Sequence, residues 1–299
     1  MTSDLDGFSA YDDILAETPW SDPWRHHAGA PPRFDPDHDI LGRLLTVPVR
    51  AGSLSQSGRF AKGIDAWLAH ELRRSGFGHD EIWPRAVRPR VLPRDIAVLL
   101  EQLPRALAND IRARLPGLKA VGPSDARILG RAYEKRVDVC LARWDRGPEI
   151  LISTKAQISS FAKNLPNRFE EAYGDAGNLR RRYPMAAVGF FFVQRSTVLD
   201  KEPDAFERAV DMMRKLRDDG GGNGYSATGL ALAEWTESPA DTATVRVRLD
   251  EVPEDVRPAE FMTVMIDTVL AATPVTHHVD VRQLRQRRVI PVEESDHAG

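Results

Sequence analysis

Scarcity is the first information in this sequence. It holds one cysteine, Cys140, among 299 residues. A single thiol excludes a disulfide framework and a cysteine-based zinc cluster, and it suits a reducing, cytoplasmic setting. Long apolar runs are also missing. The longest, Met185 to Val193, has nine residues, whereas a membrane span needs about 20, so no membrane partner is expected. No basic-then-apolar segment of the kind that directs secretion opens the chain. Gly220-Gly221-Gly222-Asn223-Gly224 lacks the Gly-Lys-Ser/Thr ending of a phosphate loop and reads as a connection. No Gly-x-Ser-x-Gly elbow supports a serine hydrolase. The histidine pairs His26/His27 and His277/His278 have neither partner cysteines nor the helical His-x3-His spacing of a zinc site.

What is present has an ordinary composition, 42% hydrophobic and 28% charged. It is enough for one large α/β domain or a core domain with an inserted helical arm. The net charge of -3 hides an uneven distribution: residues 1–40 hold nine acids against Arg25 and Arg33, which leaves a slightly basic body of 39 bases and 35 acids. Phosphates respond to local clustering rather than to the sum. Arginines cluster at Arg85/Arg88/Arg90/Arg94, at Arg180/Arg181/Arg182 and at Arg282/Arg285/Arg287/Arg288, although any such cluster can also be a solvated face.

Residues 1–55 read as an acidic, partly extended arm that docks through Trp20 and Trp24. Residues 56–275 read as the core, with a helical insertion at about 84–125, and 276–299 as a polar tail. Within the core, Phe60, Ile64, Trp67, Leu68 and Leu72 have helical spacing and stop at Gly76. Residues 94–115 predict one helix. Lys135–Ala142 alternates as a strand, and Glu149–Lys155 is a second strand after a polar turn, giving a hairpin. A helix over 165–182, a buried strand over 186–193, a helix over 203–218, strands near 225–235 and 243–249, and a helix over 257–272 complete the pattern. This order predicts a mixed central sheet flanked by helices.

The hairpin carries the chemistry. Hydrolysis of a phosphodiester needs a cation to neutralise developing charge, carboxylates to hold it, and a group that positions water. Asp138 ends one strand segment and Lys155 the next, seventeen residues later. Alternation puts Ser153 and Lys155 on one face. A lysine directly after Ile150-Leu151-Ile152 is costly to bury without a partner or a function. A structural ion pair between Asp138 and Lys155 is the competing explanation.

The arrangement Asp138 … Ile152-Ser153-Thr154-Lys155-Ala156-Gln157 resembles the PD-(D/E)XK motif of restriction-endonuclease-like nucleases, with Ser153 where the second acid belongs. It is similar to a subset of type II restriction enzymes that show S-x-K and take the lost carboxylate from the following helix. Glu170 lies fifteen residues beyond Lys155, with Glu171 beside it. Lys62-Gly63-Ile64-Asp65 … Ser75-Gly76-Phe77 resembles the acid-bearing helix that opens many of these nucleases. The resemblance implies a Mg²⁺-dependent (or Mn²⁺-dependent) endonuclease acting on double-stranded DNA in restriction or phage defence, acting as a homodimer on a two-fold target. It implies catalytic roles for Asp138, Lys155, Glu170, Ser153, Asp65 and Gln157, metal ligation by Asp138 with Glu170 (preferred) or Glu171, and phosphate contacts from Arg180, Arg181, Arg182, Arg88 and Arg90. The acidic arm is expected to cover the DNA groove until displaced. The alternative is a nuclease-fold module that no longer cuts and binds DNA or a protein instead.

Overall fold

The apolar run that begins at Met185 seeds the centre of the molecule. A computed structural model describes residues 7–52, 58–123, 125–163, 165–217, 220–236 and 242–287; Asp4, Asp6, Arg288 and the last part of the polar tail lie outside them. The N-terminal elements are α1 (Ser9–Ala16), β1 (Trp24–Arg25), β2 (Arg33–Phe34), α2 (His38–Arg50), α3 (Arg59–Arg74) and β3 (Ile82–Trp83). Next come α4 (Arg94–Gln102), α5 (Arg105–Arg114), β4 (Ala126–Leu129), β5 (Glu134–Val137), β6 (Val139–Arg143), β7 (Gly147–Gln157) and α6 (Leu165–Arg180). The chain continues through β8 (Ala187–Arg195), α7 (Val198–Lys201), α8 (Pro203–Lys215), β9 (Ala227–Glu234), β10 (Arg246–Arg248), α9 (Pro258–Ala272) and α10 (Val279–Gln286).

The protein is a mixed α/β structure built on a six-stranded sheet of order β10-β9-β8-β7-β6-β3. Strands β6 and β7 form an antiparallel hairpin, while β7, β8 and β9 run parallel. A parallel neighbour requires a crossover, and α6 supplies it between β7 and β8. Side chains alternate across the sheet and so divide the core into two layers. Ile150, Ile152, Phe191 and Val193 pack with α2, α3 and α9 on one face. Leu151, Phe190 and Phe192 pack with α6 and α8 on the other. Strand β8, covered on both faces, is buried along all but its last residue, which is why its sequence is continuously apolar.

Four expectations change. Residues 7–50 are not an extended arm. They hold α1, the β1–β2 pair and α2, and they bury Phe8, Tyr11, Trp24, Phe34, Leu41 and Leu44 against the α3 side of the sheet. Trp24 meets Phe34 edge to face at 5.3 Å. Full burial of each such side chain contributes roughly 1.5–3 kcal/mol. Two of the acids also find local partners, Asp12 on Arg90 and Asp35 on Arg25, both at 2.6 Å. The helix expected over 94–115 is broken at Leu103-Pro104 into α4 and α5, because proline disfavours helical backbone before it. These two helices share a small core of Leu92, Ala97, Leu100 and Leu115. The tail is not wholly polar either, since α10 buries Val281. Its approach is tight: Gly76 has φ +104, and a Cβ there would meet the Val281 amide at 3.0 Å.

The fourth change bears on function. Lys135–Ala142 is two strands. Strand β5 pairs with β4 in a separate ribbon, β6 joins the main sheet, and the bend between them is Asp138.

Candidate active site

Strand β7 outruns its neighbour. The last β6–β7 pair is Val139 with Ile152, so the β7 backbone beyond Ile152 has no β6 residue beside it. Asp138 closes this gap. Its own N–H donates to Ile152 at 3.1 Å, and its Oδ2 accepts from the Thr154 amide at 2.9 Å. A carboxylate thereby takes the place of a strand carbonyl.

The two faces of β7 then recruit different groups. On the α3 face, Thr154 Oγ1 donates to Asp65 Oδ1 at 2.6 Å, and Lys62 Nζ stands 4.0 Å from Asp65 Oδ2. Lys62 also lies over the ring of Phe8, 4.4 Å from its centroid, so the N-terminal segment helps to hold this lysine at the site. On the α6 face, Lys155 Nζ contacts Glu171 at 3.2 Å. Glu171 also meets Lys135 Nζ at 3.3 Å, and Lys135 in turn pairs with Asp175. Asp138 lies at the seam between the faces. It lines a crevice of about 20 Å³ together with Lys62 and Arg136.

The electrostatics follow from burial. Asp65 is fully buried, and its pKa is pushed up to about 8 by desolvation and by the charge of Asp138. Burial also raises Asp138, against the opposing effects of the Thr154 amide and the Lys155 charge. Burial pushes Glu171 upward too, but Lys155 and Lys135 outweigh it and hold its pKa below the ordinary glutamate value. Two carboxyl groups that repel one another therefore face a cationic flank.

Asp138 is thus tied to Asp65 through Thr154 on the α3 face, while Lys155 lies on the α6 face and acts on Asp138 through its charge. Other candidates fall elsewhere. Glu170 is exposed, and it is Glu171 that meets Lys155, because side chains on α6 separated by one position point some 100° apart. Ser153 is a buried small residue paired with Phe190, on the Lys155 face. The Gln157 amide is committed to the turn after β7: Nε2 donates to Ser160 and Phe161, and Oε1 accepts from Gln194. Arg90 is 5% exposed, and its guanidinium is taken up by Asp12 and by the carbonyls of Arg85 and Ala86. It braces the scaffold and is unsuited to a phosphate. Arg88 is exposed and bonds Ser9. Arg180 ties α6 to the Ala186 carbonyl at 3.1 Å, Arg181 bonds Asn223 at 2.9 Å, and Arg182 lies beside Tyr183. All three sit at the C-terminal end of α6, nine or more residues beyond Glu171.

Sequence reading missed Thr154, Lys62 and Lys135. Parity contained the signal for Thr154, since a residue between Ser153 and Lys155 must face the opposite helix. Lys62 precedes Asp65 by three positions on one helix, a spacing that makes neighbours.

Among the described residues, no three His, Cys, Asp or Glu side chains converge as a ready set of metal ligands, and no helix is long and apolar enough to cross a membrane. Comparison with protein families, with curated proteins and with solved structures finds no match for this chain.

Proposed function

We propose that this chain is a divalent-metal-dependent nuclease of restriction-endonuclease-like fold that hydrolyses phosphodiester bonds of DNA. The observation that carries the reading is that Asp138 caps the open side of β7 beyond Ile152, joined to Asp65 through Thr154 and under the charge of Lys155 on the adjoining position of the strand. The antiparallel hairpin followed by a crossover helix and a parallel strand supports the fold assignment.

The donor set suits Mg²⁺ or Mn²⁺ in one particular way. Mg²⁺ is commonly held by one or two carboxylates, with waters and substrate phosphates completing its shell. Asp138 and Asp65 would be those carboxylates; burial first and the Asp138 charge second raise the pKa of Asp65, and a cation would offset both. Such an ion would supply charge neutralisation for the phosphoryl oxygens and make the attacking water more acidic. Lys155 orients the attacking water or a non-bridging phosphate oxygen, and Glu171 fixes the Lys155 ammonium. Attack in line on phosphorus breaks the bond to the leaving sugar oxygen and yields a phosphate monoester and an alcohol. On this reading Glu171 serves Lys155, and the second acid comes from α3 rather than α6. Restriction of foreign DNA is the natural role, and a two-fold symmetric target would call for a second copy of the chain.

The test incubates purified protein with plasmid in Mg²⁺, in Mn²⁺ and in EDTA. Nicking or linearisation that needs the cation and disappears in Lys155→Ala supports the proposal. A second reading, a module that binds without cutting, is favoured by Ser153, which brings no carboxylate. It prevails if wild type and Lys155→Ala both leave plasmid intact yet retard it on a gel.

A further inference from the structure

The β4–β5 ribbon stands apart from the main sheet and ends at Asp138. Its register pairs Ala126 with Val137, Arg127 with Arg136, Ile128 with Lys135 and Leu129 with Glu134. Directly opposed residues share a face. The inner face, with Ala126, Ile128 and Val137, packs on the α6 layer. The outer face presents Arg127, Leu129, Glu134 and Arg136.

Two arginines therefore oppose each other directly on an outward surface, their side chains 66% and 55% exposed. Like charges in that position destabilise a sheet. The available counter-charges are weak: Glu134 lies 3.4 Å from Arg127, and Asp125 lies 3.7 Å from Arg136. Exposed pairs of this kind contribute roughly 0–1 kcal/mol. Arg131 adds a third exposed cation at the tip. Over residues 126–137 the ribbon carries four bases and one acid, in a chain of net charge -3.

The ribbon is also held firmly. Asn178 on α6 accepts from the Ala132 amide at 2.8 Å and donates to the Tyr133 carbonyl at 3.0 Å, and its own carbonyl takes the Arg131 amide. Any Cβ at Gly130 would collide with the Asn178 amide. The charges are thus preorganised, and Arg136 is near enough to bear on both Asp65 and Asp138.

We infer that the outer face of the β4–β5 ribbon is a nucleic-acid interface: Arg127, Arg136 and Arg131 hold the phosphate backbone of duplex DNA beside the bond placed at Asp138. The inference rests on the nuclease reading and moves the expected phosphate contacts away from Arg90 and the far end of α6. Opposed β positions set the two arginines about 5 Å apart at Cβ, so that their long side chains reach separate phosphates of one strand.

Binding is measured by fluorescence anisotropy with a labelled 25-base-pair DNA duplex in EDTA, over a series of salt concentrations. Arg127→Ala/Arg136→Ala is expected to weaken binding at least about tenfold and to reduce the slope of log K against log salt by about 2, one for each phosphate that an arginine neutralises. Arg246→Ala/Arg248→Ala, at the opposite edge of the sheet, is expected to bind within about twofold of wild type. Because the opposed charges strain the ribbon, the Arg127→Ala/Arg136→Ala protein should melt no lower than wild type, which separates weakened DNA binding from unfolding. Unchanged affinity and slope in that variant overturn the inference and leave the nuclease reading standing. Wild type that binds RNA of the same length but not DNA overturns the choice of partner. Wild type that binds neither overturns the interface and the nuclease reading together.

Discussion

Thr154 donates its hydroxyl to Asp65 at 2.6 Å, joining a strand to a helix residue 89 positions away. The same residue gives its amide to Asp138, so one side chain and its own peptide fix the spacing of the buried Asp65 and the half-buried Asp138. Thr154→Val keeps the shape and removes the hydroxyl, leaving Asp65 buried without this donor. The expected cost is about 1–3 kcal/mol in urea unfolding, with Thr154→Ser close to wild type. Equal stability of the valine and serine variants would show that the hydrogen bond contributes nothing.

The two glutamates on α6 make a direct comparison. Glu171 holds Lys155 and Lys135 while Glu170 faces solvent. In a plasmid cleavage assay Glu171→Gln is expected to lower the rate by roughly 10- to 100-fold through mispositioning of Lys155, and Glu170→Gln to stay within about twofold. The reverse order of effects would return the relocated-ligand role to Glu170.

Stability should decline with pH. The Asp65 carboxyl titrates at about 8 in the fold and near 4 in an unfolded chain. Between those values the folded protein retains a proton that the unfolded chain has lost, so raising pH favours unfolding. Glu71, which burial raises to about 7 in spite of Arg74, adds to the same trend over its lower range. Asp65→Asn removes one contribution. Its unfolding midpoint should exceed that of wild type at pH 8 and fall less steeply from pH 5, with loss of cleavage as the accompanying cost. A variant that is less stable at pH 8, or that declines more steeply, contradicts the buried-acid assignment.

Removal of residues 1–40 tests the N-terminal segment. An acidic cover would come away and leave a more active enzyme. The structure predicts the opposite, because the deletion strips Phe8, Tyr11, Trp24 and Phe34 from the core. The single change Trp24→Ala should already cost roughly 3–5 kcal/mol. A truncated protein that is soluble and melts cooperatively at the wild-type temperature refutes this packing.

Some of this molecule was readable in the amino-acid order alone. The periodicity of Phe60 to Leu72, the hairpin of β6 and β7, and the apolar strand before Gln194 all depend on nearest-neighbour geometry, with periods of 3.6 and 2 that a single sequence displays. Those local rules put an acid and a lysine near one end of the hairpin, although Asp138 lies in the bend before β6 and Lys155 two residues inside the end of β7. They could not tell that Lys135–Ala142 bends at Asp138, because the bend exists only where β5 leaves to pair with β4 and β7 outruns β6. Nor could they tell Glu171 from Glu170, Thr154 from a plain strand residue, or a packed N-terminal segment from a loose one. Each of those outcomes is decided by a meeting of positions far apart in the chain: an amide reaching a carboxylate, a hydroxyl reaching a helix, or a tryptophan finding an apolar face. The chain order set which side chains were available and which way each local element turned. Tertiary packing chose which of them became neighbours, since burial favours whatever combination closes the core while satisfying the polar groups caught inside it.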